Sequence, residues 1–125
     1  MTKSVLLVED EDNIAMALEF LMRREGYDFS RVATGPAALA AIAEKTPDLL
    51  LLDVMLPGLS GYDICQKVRL DPALAHVKIL MLTARGGEME RRKGEALGAD
   101  AFMAKPFSTE DLKRTVRDLI GGEAA

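Results

Sequence analysis

Five polar residues stand at the ends of short apolar runs in this chain. Glu9 and Asp10 follow "VLLV" (5–8), and Asp53 follows "LLLL" (49–52). Thr83 follows "VKILML" (77–82), and Lys105 follows "DAFMA" (100–104). Runs of this length are strand-like. If the strands lie parallel, their ends share one edge, where open α/β sheets bind ligands. Taken alone, Asp53 reads equally well as a solvated loop charge. The set is more telling, because its members depend on one another chemically. Three clustered carboxylates repel, and one must take a proton unless a cation sits among them. A hard divalent ion such as Mg²⁺ answers this with oxygen ligands, and Lys105 supplies a fixed counter-charge. Metal, ammonium and hydroxyl together describe a phosphoryl site. No Gly-rich "GxxxxGK" loop is present to hold a nucleotide. What remains is a phosphoryl group with a carboxylate available as nucleophile, and aspartyl-phosphate formation is an established use of a carboxylate.

The elements that must position these residues alternate in type. After the first run, Ile14, Ala17, Leu18, Leu21 and Met22 recur at helical spacing, and Gly26 supplies a stop. "YDFSRVA" (27–33) alternates as a half-exposed edge strand would. "GPAALAAIAEK" (35–45) predicts a helix, with Pro36 suited to its first position. Residues 61–70 predict a helix whose inner face is Tyr62, Ile64, Cys65 and Val68. "GEMERRKGEALG" (87–98) predicts a polar helix weakened by Gly94, with Gly86 and Gly87 at its approach. Residues 108–120 predict a last helix, opened by a Ser108/Asp111 pair resembling a capping box. Its inner face is Leu112, Val116, Leu119 and Ile120. Five strand–helix repeats imply a parallel sheet with helices on both faces. Continuous apolar runs suit strands buried on both sides.

With 125 residues the chain has the length of one domain. Its 49% hydrophobic and 29% charged residues are the balance of a soluble globular protein. Trp is absent and aromatics are 5%, so the core must be aliphatic. Cys65 is the only cysteine, which excludes an internal disulfide and fits a reducing, cytoplasmic setting. No apolar run approaches the ~18 residues that span a membrane. A net charge of −4 argues against direct nucleic-acid binding. Residues 1–121 are expected to form the domain, with 122–125 a frayed tail or the start of a linker.

The motifs "VLLVEDED" (5–12), "LLLLDVMLPGLSGYDIC" (49–65), "ILMLTAR" (79–85) and "ALGADAFMAKPF" (96–107) resemble, in order and spacing, those of a two-component response-regulator receiver domain. The resemblance covers essentially the whole chain. It implies a flavodoxin-like, doubly wound α/β fold: a five-stranded parallel sheet in order 2-1-3-4-5 with five helices. It implies that Asp53 accepts a phosphoryl group from a histidine of a sensor kinase or a histidine phosphotransfer protein. By the same carry-over, Asp10, Asp53 and the carbonyl of Met55 ligate Mg²⁺, and Glu9 acts on the metal through water. Lys105 bridges to the phosphoryl oxygens, Thr83 moves to hydrogen-bond them, and Phe102 turns inward. The Lys105–Pro106 bond is a candidate for a cis peptide, because only X–Pro bonds make that form cheap. The partners implied downstream are an effector protein or a fused effector domain, and a phosphorylation-dependent dimer through the face of helix 4, strand 5 and helix 5.

The chain departs from the family pattern in places. Phe102 stands where Tyr is common, so it offers no phenol hydroxyl. Where members that dimerise to bind DNA carry an Asp before that aromatic and an Arg in the last helix, this chain has Ala101 and Thr115. Arg91 and Asp111 are a pair that could still form. Arg91, Arg92 and Lys93 read as a solvated helix face, Cys65 as small core filler, and His76 as a loop residue without a role. Two rival readings stand beside the switch. One is a haloacid-dehalogenase-like phosphohydrolase using Asp53, which would want an acid where Met55 stands. The other is an unphosphorylated scaffold.

Overall fold

The computed structural model describes residues 2–84 and 87–121. Its strands are β1 (Ser4–Val8), β2 (Asp28–Val32), β3 (Leu49–Asp53), β4 (Lys78–Thr83) and β5 (Ala101–Ala104). Its helices are α1 (Asp12–Arg24), α2 (Gly35–Glu44), α3 (Gly61–Leu70), α4 (Glu88–Ala96) and α5 (Thr109–Ile120). A 3₁₀ turn, Pro72–Leu74, precedes β4 and was not expected from the sequence. All strand pairs are parallel, in the order β2-β1-β3-β4-β5. This is the flavodoxin-like arrangement anticipated above. None of the described helices is long and apolar enough to cross a membrane.

The leucine run shows why the sheet is rigid. Successive strand side chains point to opposite faces. Leu49 and Leu51 join Val5, Leu7, Leu80 and Leu82 in the core under α1 and α5. Leu50 and Leu52 join Leu6, Val8, Ile79 and Met81 in the core under α2 and α3. A central strand covered on both faces must be apolar at every position, and all of β3 is buried.

The caps define where each helix starts. Thr34 accepts a hydrogen bond from the Ala37 amide, and Pro36 takes the second helical position. At α3, Ser60 and Asp63 form a complete capping box that the sequence reading missed. At α5 the expected box is half made. Ser108 accepts from the Asp111 amide, but the Asp111 carboxylate turns to Arg114. Gly26 adopts φ 90° after α1, a left-handed conformation that glycine reaches cheaply.

Helix α4 is held unlike the others. Its largest apolar side chain, Met89, is 79% exposed, and only Gly94 is buried. A Cβ at Gly94 would sit 3.1 Å from Met81 Sδ and 3.3 Å from the Phe102 ring, so the missing side chain sets the approach of helix to sheet. Polar contacts supplement this. The Tyr62 hydroxyl meets the Glu90 carboxylate at 3.1 Å, and the Lys93 ammonium stands 4.4 Å from the Tyr62 ring centre. Gly94 is thus the point at which this helix packs on the sheet; Gly86 and residues 122–125 lie outside the described residues.

The tightest junction lies directly behind the candidate nucleophile. The Gly61 amide donates to the Val54 carbonyl at 2.9 Å. A Cβ at Gly61 would lie 2.3 Å from the Asp53 carbonyl oxygen and 2.9 Å from Val54 Cα, both backbone atoms that cannot yield alone. Gly61→Ala is expected to lose on the order of 1–3 kcal/mol of stability. Urea denaturation checks this, and an unchanged midpoint would show that the loop absorbs a methyl group freely.

Candidate functional site

The sheet brings the expected residues to one edge. Glu9 and Asp53 are 1% and 5% exposed, Thr83 is buried at the end of β4, and Asp10 is exposed. Carboxylate oxygens of Glu9, Asp10 and Asp53 all lie within 4.8 Å of one another. Lys105 reaches in from beyond β5. Its Nζ stands 2.8 Å from Glu9 Oε1 and 3.4 Å from Asp53 Oδ2. The Lys105 amide donates to the Thr83 carbonyl at 2.6 Å, which ties the β5 end to the β4 end. The Lys105–Pro106 peptide is cis, as anticipated.

Local backbone geometry completes the arrangement. The Met55 amide donates to Asp53 Oδ1 at 3.3 Å, while the Met55 side chain is 67% exposed. The Glu11 amide donates to Glu9 Oε2 at 3.1 Å. Glu9 is thus held on both carboxylate oxygens, one by an ammonium and one by a backbone amide. Asp10 has no side-chain hydrogen bond or ion pair among the described residues.

Burial and the adjacent Glu9 charge push the Asp53 carboxyl up to about 6; the Lys105 charge, the Met55 amide and the Lys105 hydrogen bond offset this only in part. For Lys105, burial pulls the ammonium downward. Its hydrogen bond to Glu9 and the Asp53 and Glu9 charges outweigh that, so its pKa is raised. The site therefore carries an excess of negative charge that one lysine does not balance.

Several features lay outside the sequence reading. Arg31, in β2, donates from Nε to the Glu9 carbonyl at 2.9 Å and pairs with Asp12 at 3.0 Å. The signal available was a charged residue two positions after Phe29, on the strand face that Phe29 buries. Tyr62 was expected only as core, yet its hydroxyl links α3 to α4. The anticipated Arg91–Asp111 pair does not form. Arg91 pairs with Glu95 one helical turn along, and Asp111 is taken by Arg114. Both acids are local, so each charge is satisfied without crossing between helices. Phe102 is half-buried and packs beside Gly94. Cys65 is buried and His76 is exposed, as expected of a core filler and a loop residue.

Comparison with known proteins places this geometry in context. The sequence profile of the response regulator receiver domain matches residues 5–117. Sensory transduction protein RegX3 of Mycobacterium tuberculosis is 43% identical over 122 residues, covering 96% of this chain and 52% of that protein. The phosphate regulon transcriptional regulatory protein PhoB of Rhizobium meliloti is 40% identical over 120 residues, covering 96% of this chain and 53% of that protein. The chain thus spans about half the length of these relatives. Among solved structures, chemotaxis response regulator CheY4 of Vibrio cholerae superposes with a TM-score of 0.90 at 28% identity, covering 95% of this chain and 99% of that one. The receiver domain of sensor histidine kinase PA1611 of Pseudomonas aeruginosa, solved with a magnesium ion in its active-site cleft, gives a TM-score of 0.87 at 30% identity, covering 96% and 98%. The chain belongs to the response regulator receiver domain family.

Proposed function

We propose that residues 1–121 work as a phospho-accepting switch, with Asp53 as acceptor. The observation that carries this reading is the Lys105 ammonium set between Glu9 and Asp53, 2.8 and 3.4 Å away, on an edge shared with Asp10 and Thr83. An Asp53 carboxylate oxygen bonds to phosphorus as the phosphorus–nitrogen bond to a partner's phosphohistidine breaks. The departing imidazole takes a proton from solvent. Water later cleaves the acyl phosphate and restores the carboxylate. The donor is a sensor kinase or a histidine phosphotransfer protein, and the chain's chemistry is confined to its own phosphoryl group.

The donor set fits a hard divalent cation, because three carboxylates share a space that one ammonium leaves negative. Asp10, Asp53 and the Met55 carbonyl would hold Mg²⁺, with Glu9 acting through water. When bound, Mg²⁺ offsets the charge of the acids and of the incoming phosphoryl oxygens. Lys105 orients those oxygens, and the Thr83 hydroxyl donates to them. A phosphoryl group adds charge and acceptor oxygens, which Thr83 and Lys105 answer by moving toward it. Phe102 and α4 then shift, since α4 rests on Gly94 and polar contacts rather than on a large apolar face. The changed surface of α4, β5 and α5 meets an effector protein, a fused effector domain or a second copy. The phosphohydrolase reading is disfavoured by Met55, which stands where a second acid would act and is exposed.

Intact-mass measurement with acetyl phosphate and Mg²⁺ tests the acceptor. One phosphoryl group is expected on the wild type and none on Asp53→Asn. A phosphorylated Asp53→Asn would move the acceptor elsewhere, and an unmodified wild type would favour the scaffold. Turnover of an unrelated phosphomonoester would favour an enzyme.

A second expectation concerns pH without metal. The folded Asp53 pKa of about 6 lies above its ordinary value of 3.8, so the native state binds the proton more tightly than the unfolded chain does. The stability this gives is fully present below the ordinary value and is lost as pH rises through the folded one. At pH 7.5 the ionised carboxylate is therefore a burden. Asp53→Asn should be more stable than wild type there by on the order of 1–3 kcal/mol, with the difference shrinking below pH 5. Added Mg²⁺ should stabilise the wild type and leave the variant nearly unmoved. Thermal melts across pH read both effects, and a variant less stable than wild type at pH 7.5 would contradict them.

A further inference from the structure

Asp10 is the exposed member of the acidic cluster, and none of the described side chains or amides holds its carboxylate. Its position is therefore set by its backbone. The peptide plane entering Asp10 carries the Glu9 carbonyl, and a peptide plane is rigid. Arg31 Nε donates to that carbonyl at 2.9 Å. The Glu9 amide donates to the Val32 carbonyl at 3.0 Å, so consecutive residues of β2 grip both backbone groups of Glu9. The same guanidinium pairs with Asp12 Oδ1 at 3.0 Å, in the first turn of α1. Arg31 thus spans the turn from residue 9 to residue 12, with Asp10 between its two anchors.

The pair is exposed on one side only: the Asp12 side chain is 85% exposed and that of Arg31 27%. Arg31 Nη2 is buried without a hydrogen-bond partner among the described residues. The guanidinium reaches a backbone carbonyl from Nε and a carboxylate from Nη1, a fixed two-nitrogen spacing that a planar fork supplies and a single ammonium nitrogen does not.

We infer that Arg31 is a positioning residue for the acidic cluster: it braces the Glu9–Asp10 peptide and Asp12, and so holds Asp10 where a divalent cation would bind. The inference rests on the metal reading proposed above. Arg31 touches neither the cation nor the phosphoryl group; it acts through Asp10.

Bracing and plain electrostatics predict opposite signs. Removing a positive charge from the turn that carries the acidic cluster should by itself tighten cation binding. Removing the brace should weaken it. Mg²⁺ titrations followed by ¹H–¹⁵N spectra of wild type, Arg31→Met, Arg31→Gln and Arg31→Lys separate the two. Arg31→Met is expected to weaken Mg²⁺ binding about tenfold, the scale of losing a residue that orients a ligand. Arg31→Gln keeps a neutral amide donor group, and Arg31→Lys keeps the charge on an ammonium donor, but neither keeps the guanidinium fork; each should recover part of the affinity. The metal-free amide signals of Asp10 and Glu11 should shift or broaden in Arg31→Met, a signature that lost packing elsewhere would not give. Should Arg31→Met fail to fold, the Gln and Lys variants still give the sign. A folded Arg31 variant that binds Mg²⁺ as tightly as wild type, or more tightly, overturns the inference while leaving the metal reading intact. Absence of Mg²⁺ binding by the wild type overturns both.

Discussion

The ammonium of Lys105, set between the carboxylates of Glu9 and Asp53, is the constraint on which this molecule turns. Burying acids against one another is unfavourable, and the sheet does so at the end of its most apolar strand. Lys105 relieves part of the repulsion, and Asp53 is still pushed up to about 6. The residual imbalance is what a cation or a phosphoryl group with its cation would exploit. A site with fully compensated charge would have no electrostatic reason to change state.

The scaffold serves that imbalance by being stiff behind it and soft beside it. Leu49 to Leu52 fill two cores at once, so β3 cannot slide or tilt without opening both. Gly61 presses against the Asp53 carbonyl from the far side of the loop. Beside these, α4 buries no large side chain and leans on Gly94, Phe102 and the Tyr62–Glu90 contact. A change of charge at Asp53 therefore meets rigid neighbours in the sheet and a loosely held helix at its margin. Rigid support beside a helix with little buried apolar surface is the arrangement by which the proposed charge event at Asp53 would become a surface change.

Much of this was legible in the sequence, because burial leaves a periodic trace. Two-faced burial made "LLLL" continuous, and one-faced burial gave residues 61–70 and 108–120 their helical spacing. Polar residues stood out at the site because they interrupt apolar runs at one edge. Long-range polar contacts leave no such trace. Arg31 shares the strand face that Phe29 buries, but neither Glu9's carbonyl nor Asp12 can be seen to approach it from spacing. Tyr62 read as core because its ring is core; its hydroxyl contact with Glu90 and the Lys93 ammonium over its ring leave no trace in spacing. Asp111 could serve Ser108 or Arg114, and Arg91 could serve Asp111 or Glu95. Sequence does not rank such competing partners: Arg91 took the acid one turn along its own helix, and the Asp111 carboxylate took Arg114.

The central claim is that charge arriving at Asp53 is answered at Lys105 and Thr83 and read out at α4. Hydrogen-exchange mass spectrometry of the protein with and without Mg²⁺ and beryllofluoride, a phosphoryl mimic, tests it most directly. The account predicts slower exchange in the loop between β3 and α3 and altered exchange in α4 and β5, with β1 and β3 unchanged. Binding of the mimic with no change at α4, or with changes confined to α1 and α2, would contradict it.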